Sequence, residues 1–276
     1  MVSEKIPPAD RAVGVPEDKQ QELEEAMARV YENRGNAKIE GIETEKSQRD
    51  LEIINFVIGA TSDYQKRYGR KKDIPVPLEK IHILEDGGTE KFTKDRLSKG
   101  AHATTYGSIL ADRKESDIDF ALIIFHELFH LKSYKALQIT KAEKPENGEL
   151  GVYRSGISVT TRDGEKVYFE DLEEAIITIV TERFYKEYIL TSDLFKDEVE
   201  SKAPEFSRSR EREKLEKLVE ELWQRNQDKF QDKDEVLDLF IDAQINGNLL
   251  KVGRLIEKTF GKGIFRKIGE YDFSDN

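Results

Sequence analysis

The chain of 276 residues contains no cysteine. Disulfides, thiol nucleophiles and every cysteine-ligated zinc or iron–sulfur site are thereby excluded. Histidine is scarce, at four residues, so any metal site must complete its ligand set with carboxylates. Positive charge is in deficit: 45 basic residues against 56 acidic ones give a formal charge of −11. That balance argues against a general nucleic-acid binder, which needs a basic face, and no nucleic-acid partner is expected. Long apolar runs are missing too. The longest, such as 120–125 and 175–180, fall well short of the roughly 20 residues that a membrane span requires, and no membrane partner is expected. The opening stretch MVSEKIPPADRAVG is charged, contains proline and lacks the apolar centre of a secretory signal. The cytoplasm is the expected compartment.

What the chain has in abundance is charge. Charged residues make up 37%, against roughly 25% in average domains, and the hydrophobic fraction of 37% is low. Long solvated helices around a core of ordinary size are expected. The length suits one or two domains of about 150 residues.

Three segments follow from composition. Residues 1–40 read as a mobile tail, with three of the seven prolines in its first half (Pro7, Pro8, Pro16), followed by a weak charged helix over 19–33. Residues 41–200 read as the core. A helix is expected over 44–68, where Leu51, Ile54, Val57, Ile58 and Tyr64 recur near helical spacing. Pro75 and Pro77 force extended chain, and strands follow at 79–84 and 103–111. Ser116 opens a helix continuing to about Leu137 and apolar almost all round, hence central. Residues 151–169 read as a β-hairpin turning at Asp163–Gly164, and 170–189 as a helix. Residues 201–276 read as a helical region packed on the core, with helices near 207–229, 233–245 and 248–260. The fold class is α+β.

The central helix carries F-H-E-L-F-H. His126 and His130, four apart, project from one helical face, and two imidazoles so placed can grip one zinc ion. Glu127 lies about 100° round the helix, where it can accept a proton from a metal-bound water. With four histidines in the chain, H-E-x-x-H arises by chance only about 0.007 times. The bland alternative is a pair of core histidines beside a satisfied glutamate. An apolar helix has little reason to carry it, because burying unpaired polar groups costs several kcal/mol.

A third ligand is needed. The variant with a later histidine fails, because Ser133 and Ala136 occupy the places of its glycine and histidine. The helix beginning near Glu170 offers two acids. Glu174 shares a polar face with Thr178, Thr181 and Tyr185, whereas Glu173 points along the stripe of Ile177, Val180 and Phe184. Glu174 is the preferred ligand; Glu173 reads as a helix-start acid favoured by the dipole.

Together, H-E-L-F-H at 126–130 and E-E-A-I-I-T at 173–178 resemble the gluzincin metallopeptidases, the thermolysin-like zincins, over roughly residues 50–190. The resemblance implies a zincin-like fold and one Zn2+ per chain held by His126, His130 and Glu174. It also implies a peptide or protein substrate, with Glu127 as general base. In the same match Glu173 replaces the usual Asn. Thr178 stands where those enzymes carry an Asp supporting a ligating histidine. An oxyanion donor is expected, with Tyr153, Arg154 and Tyr185 as candidates; Tyr185 is preferred because it lies on the Glu174 face, three turns on. The strand before the active helix (Thr104, Thr105, Tyr106, Gly107) is the expected platform for an extended substrate, which would add to it as a further strand. His82 and His102 read as packing or surface residues. Two other readings remain: a zinc-binding but non-catalytic module that binds a partner, and a helical interaction scaffold in which the motif is accidental.

Overall fold

The computed structural model describes residues 9–14, 42–70, 74–93, 101–103, 107–140, 149–199, 204, 206 and 208–270. The expected helix at 19–33 and most of the expected tail lie outside the described residues. Strand β1 (Arg11–Val13) comes first, then helix α1 (Gln48–Arg67), β2 (Ile81–Leu84), the short α2 (Gly88–Thr93), β3 (Ala101–Ala103) and β4 (Ile109–Asp112). The central helix α3 (Asp117–Lys132) leads into β5 (Lys135–Thr140), β6 (Glu149–Ser155), β7 (Ser158–Thr160) and β8 (Val167–Tyr168). Helix α4 (Glu170–Phe184) runs on into a π turn (Tyr185–Ile189), and the short α5 (Lys196–Val199) follows. Helices α6 (Ser209–Gln224), α7 (Lys233–Asn246), α8 (Leu249–Phe260) and α9 (Ile264–Glu270) complete an α+β architecture. No described helix is long and apolar enough to cross a membrane.

The strands form two sheets, one in the order β1-β5-β6-β7-β8 and a smaller one in the order β2-β4-β3. Helix α3 lies at the centre because most of it is apolar: Phe120, Ala121, Ile124, Phe125, Leu128 and Phe129 are all fully buried, and beyond its first turn only the face of Ile123, His126, Glu127 and His130 keeps partial exposure. Ser116 caps it, accepting a hydrogen bond from the Asp119 amide at 2.9 Å. Aromatic rings then fix its neighbours. Phe125 stacks flat on Phe184 of α4 with centroids 4.1 Å apart, and Tyr64 of α1 meets Phe125 and Phe129 edge-on at 6.4 and 6.0 Å. Leu215, Leu222, Val236, Phe240 and Val252 of the C-terminal helices belong to the same hydrophobic cluster as α3.

Several boundaries differ from those the sequence suggests. Helix α3 ends at Lys132, not Leu137. The Gln65 amide caps the Lys132 carbonyl at 2.6 Å, and Tyr134 donates to the carbonyl of Gln244 at 3.0 Å and accepts from Gly156 at 2.7 Å. Tertiary partners thus draw the segment K-A-L-Q-I-T out of the helix and into a strand. The expected single strand 103–111 is two antiparallel strands, with Ala101 opposite Ala111 and Ala103 opposite Ile109. The expected hairpin 151–169 is a meander: its first turn is at Gly156–Ile157, and Asp163–Gly164 lies in its second. Arg11–Val13, assigned to the tail by composition, pairs in parallel with β5. Asp10 anchors it, exchanging backbone and side-chain hydrogen bonds with Lys135 and accepting from Arg70 at 2.9 Å.

The start of α4 is unusual. Phe169 holds a left-handed backbone at φ 66°, which costs a bulky side chain about 1–2 kcal/mol. It is kept there from the far end of the chain. Its amide donates to the Gly269 carbonyl at 3.0 Å, and its ring stacks on Phe265 at 4.6 Å. Only glycine fits at 269, since a Cβ there would lie 2.5 Å from the Phe169 ring.

Removing the central ring tests this packing. Phe125→Ala should lower stability by about 3–5 kcal/mol, measured by denaturant unfolding. A loss under about 1 kcal/mol would mean that the α3–α4 contact is not close-packed.

Candidate metal centre

The two helices that meet at Phe125 and Phe184 also bring three ligating side chains together. His126 and His130 leave α3 on one face, and Glu174 faces them from the second turn of α4. The two histidine Nε2 atoms are 3.2 Å apart. Glu174 Oε2 is 3.4 Å from His126 Nε2, and Glu174 Oε1 is 3.3 Å from His130 Nε2. These three residues form a cluster able to hold a metal ion, with all three ligand atoms within 4.8 Å of one another. Two donors each about 2.0–2.1 Å from a tetrahedral ion stand about 3.3 Å apart. The spacing of the two rings matches that edge length, and each Glu174 oxygen stands near it from one of the rings, so the residues fit a bound cation.

The electrostatics agree. Burial disfavours charge on His130, but the carboxylates of Glu174 and Glu173 outweigh it and hold the imidazole well above its ordinary pKa. Burial likewise disfavours charge on Glu174, yet His130 and His126 hold its carboxyl well below the usual range. Glu174 is therefore held ionised, while His130 holds a proton that a cation must displace before the ring nitrogen can bind it.

Glu173 differs from its reading as a helix-start acid. It is only 5% exposed, and its Oε1 lies 3.5 Å from His130 Nδ1, 2.9 Å from the donating Gln244 Nε2 and 3.5 Å from Ser155 Oγ. A carboxylate at Nδ1 turns the ring so that Nε2 faces the ligand position. The sequence did carry a signal for this. An acid in the apolar stripe of a buried helix must find partners. Thr178, at the position matched to a supporting Asp, is 3% exposed, and its hydroxyl has no hydrogen-bond partner among the described residues.

Glu127 is half-buried on α3, next to His126 in the chain. Tyr185 is not brought to the cluster. Its ring packs edge-on against Phe206 at 6.0 Å, and eleven residues of helical rise place it about 16 Å along the axis from Glu174. Arg154 is committed elsewhere, donating to the carbonyls of Gly156, Gly247 and Ala243 at 2.7, 2.9 and 3.3 Å. Tyr153 is partly buried on β6. Of the expected substrate platform, Thr104, Thr105 and Tyr106 lie outside the described residues, and Gly107 sits in a bend at φ 75°. Strand β4 is the middle strand of its sheet, with β2, bridged to Glu43, on one side and β3 on the other; among the described residues no further strand pairs with β3. His82 Nδ1 is 2.9 Å from Glu43, remote in sequence from the cluster and serving the β2 edge.

Comparison of the chain with protein-family models, with curated proteins and with solved structures gives no match. The chemistry of the site therefore rests on its own geometry.

Elemental analysis should find close to one divalent ion per chain, lost in His126→Ala and in Glu174→Ala. Retention in either variant would place the ion elsewhere. A cation must also displace the proton that His130 holds. Because that pKa is raised, apparent affinity should weaken with falling pH from above about 6.5, the ordinary imidazole value. Competition titrations between pH 8 and pH 6 measure this.

Proposed function

We propose that the protein is a zinc-dependent peptidase of the gluzincin type, with a zincin-like core. The observation that carries this reading is the cluster of His126, His130 and Glu174 at tetrahedral edge spacing, with Glu127 between the two histidines in the chain. A ligand set of two imidazoles and one carboxylate, without thiolate, suits zinc and leaves a position open for water or substrate. Bound there, zinc supplies a Lewis acid that polarises a peptide carbonyl and acidifies a water.

The remaining work falls to the chain's own groups. His126, His130 and Glu174 hold the ion from two helices whose relative position is set by the Phe125–Phe184 stack. Glu173 orients the His130 ring through Nδ1. A carboxylate oxygen of Glu127 takes the proton from the attacking water and passes it to the nitrogen of the departing amine. Strand β3, an outer strand of its sheet among the described residues, would offer backbone donors and acceptors to an extended peptide, whose side chains need not be specified.

One observation favours a second reading, a zinc-binding module that binds a partner without turnover. Among the described residues, Tyr185 and Arg154 are engaged away from the cluster, so neither is placed to stabilise an oxyanion.

Glu127→Gln separates the two. It should keep the metal and lower hydrolysis of a peptide library by about 100- to 10,000-fold. Undiminished hydrolysis would refute the role of Glu127. A metal-loaded parent that cleaves nothing in the library would favour the module.

A further inference from the structure

The C-terminal helices resemble nothing in the motif pattern of the core, yet one of their side chains reaches the metal centre. Gln244 lies in the last turn of α7 and is fully buried. Its Nε2 donates to Glu173 Oε1 at 2.9 Å and to Ser133 Oγ at 3.0 Å. Its Oε1 accepts from the Ile157 amide at 3.0 Å. Both amide hydrogens are used, and the opposite orientation would set NH2 against an N–H and oxygen against a carboxylate. The side chain therefore has one acceptable orientation.

The surroundings hold it there. Gly156, in the β6–β7 turn, closes so tightly on the amide that a Cβ would lie 2.1 Å from it. Ser133, the second acceptor, is itself tied to the Phe129 carbonyl at 2.7 Å. On the other side, three groups meet at Glu173 Oε1, and Gln244 makes the shortest of the three contacts, against 3.5 Å for both His130 Nδ1 and Ser155 Oγ. The orientation of the carboxylate is thus set chiefly by Gln244. The contact to His130 depends on that orientation.

We propose that Gln244 is a positioning residue of the metal centre. Its amide sets the Glu173 carboxylate, and Glu173 sets the ring of the ligand His130. The C-terminal helices are then a working part of the site. This rests on the assignment of His126, His130 and Glu174 as metal ligands and not on turnover.

The test uses the full chain with Zn2+ alone, in competition with a chromophoric chelator, and the visible absorption of the Co2+-loaded protein. Gln244→Met keeps the length of the side chain but removes the donor to Glu173. It should weaken zinc binding about 10- to 100-fold and shift the cobalt bands, while metal-free circular dichroism stays that of the parent. A purely structural role for Gln244 predicts no change in the cobalt bands. Parent-like affinity and spectrum in folded Gln244→Met would overturn the proposal. Should Gln244→Met fail to fold, Glu173→Gln decides in its place. Unchanged zinc affinity and cobalt bands there would show that nothing passes through Glu173, and the proposal falls. A parent that binds neither zinc nor cobalt would instead overturn the ligand assignment, and this proposal with it.

Discussion

Two imidazoles and two carboxylates lie in the contact between a pair of helices that is otherwise apolar, and that juxtaposition constrains everything around it. Each polar group would cost several kcal/mol if buried alone. Together they compensate one another, as the raised His130 and the lowered Glu174 show. With both imidazoles neutral, Glu173 and Glu174 leave the pocket negative, and a divalent cation balances it. The apolar remainder of the contact, centred on Phe125 and Phe184, fixes how far apart the two ligand-bearing faces can stand. A slip of either helix by one residue would rotate its ligands by about 100° and dissolve the cluster.

The rest of the molecule secures that register. Helix α1 is fastened to the end of α3 by Gln65 and by Lys132, whose Nζ donates to Ser62 at 2.9 Å. Arg154 places its cation against the last carbonyls of α7, where the helix dipole favours positive charge, and so joins the larger sheet to the C-terminal helices. Gln244, one residue beyond Ala243, approaches the metal centre from that same end. The two side chains work from opposite sides of one junction between β6 and α7.

How much of this could be read in advance depended on sequence separation. The H-E-x-x-H pair is local, so helical period alone puts its histidines on one face. The same period set Glu174 apart from Glu173, and Glu174 is the acid in the cluster able to hold a metal ion. The period could not show that Glu173 has partners on β6 and α7, because those residues lie far along the chain. The premature end of α3 had the same origin: the segment after Ser133 is apolar enough for a helix, and only the carbonyl of Gln244 and the amide of Gly156 turn it into a strand. Likewise, the Thr- and Ile-rich run at 103–111 has the composition of one strand, and nothing local marks the fold-back that makes it two. Strand β1 escaped notice because it is three residues of small or charged character, held by Asp10 rather than by an apolar face. For Tyr185 the helical face and the three-turn separation from Glu174 were legible, but its contact with Phe206 was not, because no local pattern marks it.

Phe169 adds a mechanical consequence. The residue that launches α4 stands in a backbone conformation it would leave if unrestrained, and its restraint is α9, near the end of the described chain. The strain is small, but it sits one turn ahead of Glu173 and Glu174. The last helix therefore acts as a catch on a spring. While α9 is latched, the first turn of α4 stays wound and its carboxylates are held in aim. Without the hold of α9, that strain would be released into the first turn of the helix that carries Glu173 and Glu174.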